Sequence, residues 1–169
     1  MHRTVALLAA LAVAACISPG RAAASTKAFG AQSTVSHPLG GCSATVASFS
    51  FANFSPLTHT GRFAQGYVSF DCASPVADIE LSAGNSGQFQ NRRMTAAQDP
   101  RAGLSYNIFL DANCTQVFGD GTGGSSAYVP GPHVSKGGFA IYGEIVDRQP
   151  GLLVASYSDA SRLMVNLAP

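Results

Sequence analysis

Wherever this chain shows a hydrophobic period, the period is two. Val68, Phe70 and Cys72 share one side of an extended segment, Ile79 and Leu81 share another, and Leu104, Tyr106, Ile108 and Leu110 form the longest run. Phe139 alternates with Ile141, and Leu163, Val165 and Leu167 alternate with Met164 and Asn166. Successive side chains of a strand point to opposite faces, so this pattern marks strands with one buried face. Turn residues separate the runs, at Gly61, Ser74-Pro75, Gly84-Asn85, Asp99-Pro100, Gly119-Asp120-Gly121, Pro130-Gly131-Pro132, Gly137-Gly138 and Pro150-Gly151. Helical spacing is sustained nowhere, and residues 95–98 are expected to make one helical turn at most. About six short strands after Cys42, with turns at these intervals, predict an all-β chain packed as an immunoglobulin-like two-sheet sandwich.

The first residues carry a different signal. His2 and Arg3 precede an apolar run over residues 5–15, a breaker at Pro19-Gly20 and then Ala22-Ala23-Ala24. This order of parts reads as a secretory signal peptide, residues 1–24, cleaved after Ala24. The run falls short of the roughly 20 apolar residues that a spanning helix needs. Val13-Ala14-Ala15-Cys16 also resembles a lipoprotein box, in which Cys16 would be acylated and tether the chain. The remaining length of about 145 residues suits one domain. The formal charge of +1 falls to −1 without Arg3 and Arg21, which leaves no electrostatic footprint for nucleic acid.

Export changes what cysteines mean, because thiols crossing an oxidising compartment tend to pair. Without Cys16 three remain, Cys42, Cys72 and Cys114, an odd number. Cys42 stands just ahead of an alternating stretch and Cys72 ends another, two segments that can lie side by side, so a Cys42–Cys72 disulfide is expected. Cys114 is then free or pairs between chains. No C-x-x-C occurs, which disfavours zinc and redox chemistry.

Other sites fare no better. Gly119, Gly121 and Gly124 satisfy G-x-G-x-x-G, yet no helical pattern follows to bring a helix N-terminus to a pyrophosphate, so a glycine-rich loop is expected. His37, His59 and His133 stand in turn-like or polar stretches, no two at ligand spacing, and no nucleophile elbow is present. The acidic residues are scattered. No catalytic site, metal or cofactor is expected.

Ahead of Cys42 lies an arm, residues 25–41, in which Phe29, Ala31, Ser33 and Val35 alternate with Gly30, Gln32 and Thr34. It reads as a strand, either the first of the chain's own sandwich or one that pairs with another molecule. Several segments in order then resemble the spore coat protein U domain family, the subunits of archaic chaperone-usher pili. They are the arm, Phe51-Ala52-Asn53-Phe54, the Val68 to Cys72 strand, Leu81-Ser82-Ala83-Gly84-Asn85, Arg93-Met94 and Leu104-Ser105-Tyr106-Asn107-Ile108-Phe109. Phe118-Gly119-Asp120-Gly121-Thr122-Gly123, Tyr142-Gly143 with Gln149, and Tyr157-Ser158-Asp159 complete the set. Phe118 stands where the family often has Trp, and Cys114 is additional to its pair.

The resemblance implies an incomplete immunoglobulin-like sandwich over residues 42–169 that lacks its last strand. The strand carrying Leu163, Val165 and Leu167 would border the open groove, and a donor strand presenting Phe29, Ala31, Ser33 and Val35 would fill it. It further implies a non-enzymatic structural subunit of a surface fimbria, serving adhesion or biofilm growth. The chain would be exported to the periplasm and then displayed at the cell surface. Its partners would be identical or related pilin subunits, a periplasmic chaperone and an outer-membrane usher. The alternative is a secreted or lipid-anchored β-sandwich module that recognises a surface or a glycan.

Overall fold

The computed structural model describes residues 41–47, 49–51, 54, 62–147, 149 and 151–169. Among them are eight strands: β1 (Cys42–Ala47), β2 (Phe63–Cys72), β3 (Val76–Leu81), β4 (Arg92–Ala96), β5 (Gly103–Phe109), β6 (Lys136–Ile145), β7 (Tyr157–Ser158) and β8 (Leu163–Leu167). One turn of 3-10 helix, Gly84–Ser86, lies between β3 and β4. The expected turn over residues 95–98 is not formed. Thr95 and Ala96 instead continue β4, because Met94 and Ala96 alternate into the core and the strand pairs with both β5 and β7. Tertiary pairing overrides a weak local preference here.

Among the described residues all six pairings between named strands are antiparallel. The larger sheet runs β1-β2-β6-β5-β4-β7 and the smaller is β3-β8. In an immunoglobulin sandwich the first sheet carries strands A-B-E-D and the second C-F-G. The order β1-β2-β6-β5 reproduces A-B-E-D in chain order, and β3-β8 reproduces C-F. The chain is thus an all-β immunoglobulin-like sandwich with β4 and β7 added beyond D.

Alternation builds the core. Val68 and Phe70 of β2, Leu104, Tyr106 and Ile108 of β5, and Ile141 and Ile145 of β6 are buried and meet Ile79, Leu81 and Leu163 of the smaller sheet. Beyond the end of β1, Phe49 and Phe51 are buried edge to face at 5.4 Å, and Phe51 reaches Tyr106 at 5.9 Å. These rings rest on bare backbone, since a Cβ at Gly143 would collide with both of them. Phe118, in the position where the resemblance leads one to expect Trp, is fully buried and packs edge to face on Phe139 at 5.6 Å.

One buried feature is polar. Arg92 of β4 is 0% exposed and donates to Asn107 Oδ1 at 2.8 Å, to the Phe118 carbonyl at 2.8 Å and to the Ser82 carbonyl at 3.0 Å. Burial pulls its pKa below the ordinary guanidinium value. Beside it Tyr106 donates to Asp159 at 2.6 Å, and Asp159 accepts the Asn85 and Ala160 N–H groups, both at 2.8 Å. Gly84, at φ 71°, lies so close to that carboxylate that no Cβ fits. Segments scattered through the sequence around residues 84, 92, 106, 118 and 159 thus meet in one knot that ties β4 and β5 to the turns after β3 and β7. At the far end of β5 the Gln149 amide imitates a strand partner, donating to the Ser105 carbonyl at 2.8 Å while accepting its N–H.

Two outcomes follow. Replacing Arg92 with Met keeps most of the volume but removes three hydrogen bonds, leaving the Ser82 and Phe118 carbonyls without the guanidinium while Asn107 Oδ1 keeps the Ile108 N–H, so urea unfolding should show a loss of about 2 to 4 kcal/mol; an unchanged midpoint would mean that those carbonyls find other partners. Burial, and then the Asp159 carboxylate, push the Tyr106 phenol above its usual value in the folded state. A raised folded-state pKa means a contribution intact below the unfolded value, near 10, and lost as pH climbs beyond it. Stability should therefore fall above about pH 10, with a shallower slope in Tyr106→Phe when unfolding midpoints are compared across pH.

Candidate functional site

Apart from the two-residue β7, which ends the larger sheet beside β4, two strand margins lack a partner among the described residues. β1 ends the larger sheet and β8 ends the smaller, and neither has a strand partner on its outer side among the described residues. In each, alternate backbone N–H and C=O groups point away from the paired strand. Although they belong to different sheets, Cα atoms of β1 and β8 come within 8 Å of each other, so both margins border one seam.

The seam is apolar. From β1, Cys42, Ala44 and Val46 turn inward and are 9%, 1% and 9% exposed. From β8, Leu163 and Val165 are buried and Leu167 is partly so. The outward residues of β8 are Met164, 40% exposed, and Asn166, whose amide donates to Asp78 and Glu80 on β3. Glu80 is held above the ordinary carboxylate range, first by desolvation and then by the negative charges of Asp78 and Asp120. Charge thus gathers on the solvent side of β3-β8, and the seam side is left to hydrocarbon.

Of the residues expected to form a site, Leu163, Val165 and Leu167 lie together on β8, at the open margin of the smaller sheet. Phe29, Ala31, Ser33 and Val35 lie outside the described residues, as do the leader, Cys16, His37 and His59. Cys42 and Cys72 are disulfide-bonded and stand directly opposite in the β1-β2 register. The bond pins the edge strand β1 at its first residue. Cys114 is a free thiol in the loop after β5, its pKa raised by burial and by Glu144 and Asp111. The glycine-rich segment is a loop, with Gly121, Gly123 and Gly124 at positive φ. His133 is exposed, and no group of three or more His, Cys, Asp or Glu that could hold a metal occurs among the described residues. Among those residues no helix is long and apolar enough to cross a membrane.

Sequence reasoning named only one side of the seam. That β1 forms the other side follows from sheet order, which periodicity does not carry. The Arg92 knot was missed as well; the signal was an arginine in phase with Met94 and Ala96, a charge on the buried side of a strand.

Separating Cys42 from Cys72 opens a loop of about 30 residues, which the chain-entropy account values at about 3 to 4 kcal/mol. The Cys42→Ser, Cys72→Ser double variant should lose about that much in urea unfolding, and β1 amides should lose hydrogen-exchange protection before those of β5 and β6.

A family model described as Spore Coat Protein U domain matches residues 5–163, nearly the whole chain. No curated protein matches it.

Proposed function

The chain belongs to the Spore Coat Protein U domain family, and from that premise we propose that it is a structural, non-enzymatic subunit of a surface pilus assembled by the chaperone-usher pathway through donor-strand exchange. The observation that carries this reading is the margin of β8. A complete sandwich has its strand G beside F, and beside β8 no strand stands among the described residues.

An apolar seam with unpaired backbone is costly to leave in water and prone to pair with any extended chain. β-strand addition satisfies both needs at once, the ladder giving affinity and alternate side chains entering the interior. The arm over residues 25–41 offers that alternation in Phe29, Ala31, Ser33 and Val35. Each side chain the size of Val or Phe contributes roughly 1.5 to 3 kcal/mol on burial. Phe29 and Val35 therefore supply most of the energy, and Ala31 and Ser33 permit close approach. An arm on one molecule entering the seam of the next makes a head-to-tail contact that does not close, and such contacts build filaments.

In this reading a periplasmic chaperone lends the first strand, an outer-membrane usher is where the next subunit's arm replaces it, and the product is a fimbria at the cell surface serving adhesion or biofilm growth. Two strands paired to a common third stand about 10 Å apart, more than the closest approach of β1 and β8. A donor must therefore part them at that point or run along the remainder of β8.

Appending residues 27–36 after Pro169 through a short flexible linker should give a monomer stabilised by about 3 to 6 kcal/mol over the unextended chain. Aspartate at both Phe29 and Val35 of the appended copy should abolish the gain. Conversely, a chain lacking residues 25–35 should still bind the chaperone yet form no fibre, and normal fibres from that deletion would overturn the proposal.

A further inference from the structure

The strands that bury one set of side chains present the other set to solvent, and on β2 and β6 that outer set is unusual. Phe63 is 64% exposed and Tyr67 50% exposed, both on β2, with Gln65 between them and Tyr142 of β6 directly opposite Gln65 in the register. Four residue steps along the strand separate the two exposed rings, about 13 Å. Neither ring is loosely placed. Tyr67 lies flat against the backbone of Gly138, where an added Cβ would come within 2.5 Å of its Cε1. The Arg62 guanidinium carbon sits 5.3 Å from the centre of the Phe63 ring, and Arg62 is held in turn by Glu144 and Asp147.

The face is indented at both ends. A cavity of about 330 Å³ lies among Phe63, Gln65 and Tyr142 and is walled by Ala112 and Cys114. Asp111 stiffens that wall by accepting the Thr115 and Gln116 N–H groups at 3.0 and 2.6 Å. The second, about 310 Å³, includes Thr45 and Ser69, whose hydroxyls bond at 2.7 Å.

Charge selects the class of ligand. The first cavity is lined by no carboxylate, ammonium or guanidinium group, and at the second the two charged side chains, Asp71 and Lys136, neutralise each other at 2.6 Å. Beside Phe63 the Arg62 guanidinium is likewise paired, with Glu144 and Asp147, so this face offers an ionic ligand no unpaired charged group among those that line it. Flat rings flanked by an amide and hydroxyls match a molecule with apolar ring faces and many hydroxyl groups. We propose that the outer face of β1, β2 and β6 binds a neutral oligosaccharide, its sugar rings stacked on Phe63, Tyr142 and Tyr67 and its hydroxyls met by Gln65 and by the Thr45–Ser69 pair. This goes beyond the role of fibre subunit and does not depend on it, because the face lies on the solvent side of the larger sheet, away from the core. In a fibre the same face recurs in every subunit, so a weak single-site affinity becomes a strong one by multivalency.

The test is calorimetric titration of the exported chain with neutral hexasaccharides of glucose, N-acetylglucosamine, xylose and mannose, with dextran sulfate as the charged comparison. Saturable binding of at least one neutral probe is expected. Phe63→Ala and Tyr142→Ala should each weaken it by about tenfold or more, and Tyr142→Phe, which keeps the ring, by no more than about threefold. Both positions lie on the solvent side of the sheet, Phe63 exposed and Tyr142 partly so, and unchanged melting midpoints would confirm intact folds. The proposal is overturned if no neutral probe binds, if dextran sulfate binds as well as the best of them, or if the alanine variants bind normally. It is overturned equally if the face proves to hold a second copy of the chain, seen as self-association in sedimentation that the alanine variants abolish while no sugar binds.

Discussion

A strand at the margin of a sheet has half of its backbone hydrogen-bonding groups without a strand partner, and among the described residues of this sandwich a strand so placed, β8, also carries part of the core. β8 is paired on one side by β3, and its inward residues Leu163 and Val165 pack with the rest of the interior. Solvating its free margin would wet those leucine and valine side chains; keeping them dry would leave the backbone unsatisfied. An external strand resolves both demands, and the proposed biology rests on that conflict. The disulfide and the polar knot then fall into place as consequences. Among the described residues β8 has no partner opposite β3, so in the proposed reading the sandwich needs its other connections made without help from a strand there. Cys42–Cys72 fastens the opposite side of the seam, and the bonds from Arg92, Tyr106 and Asp159 fasten β4, β5 and their turns.

Period two in the sequence was enough to place β2, β3, β5, β6 and β8, because each of these strands buries one face in hydrocarbon and shows the other to water. It failed at β4. There the inward residues are Arg92, Met94 and Ala96, so the stripe begins with a charge and ends with a methyl, and neither registers as apolar alternation. It could not find β7 either, which is two residues long and exists only through its pairing with Thr95 and Ala96. The disulfide was legible because its cysteines punctuate two alternating segments. That β1 and β8 flank one seam was not, since it follows from how the two sheets are ordered and stacked, through pairings between segments far apart in sequence such as Val76 with Leu167.

The segments on which the family resemblance was first noticed divide by physical role. Gly84, Asn85, Tyr106, Phe118 and Asp159 belong to the buried knot or line it, and Gln149 closes the end of β5. These are scaffold positions, and their recurrence in order signals a shared way of packing more directly than a shared ligand. Leu163, Val165 and Leu167 are ordinary strand residues whose proposed role comes from β8 having no second strand partner among the described residues. Fold was therefore easier to read than assembly: the knot has distinctive residue types, and an open margin has none.

The two faces of β2 show how little sequence separates stability from recognition. Val68 and Phe70 are buried, whereas Phe63 and Tyr67, on the same ten-residue strand, are open to solvent. Composition does not distinguish them, since all four are apolar or aromatic. Register does, because a strand's side chains alternate sides and Tyr67 falls on the opposite parity from Val68 and Phe70. Phe63 shares the parity of Tyr67 and lies four pairs further along β6, against Glu144, where the Arg62 guanidinium supports its ring. An aromatic placed there only to fill the interior would have been wasted by the pleat. Its position, held from behind and left open in front, fits contact with a molecule outside the sandwich, on the side of the larger sheet away from the core.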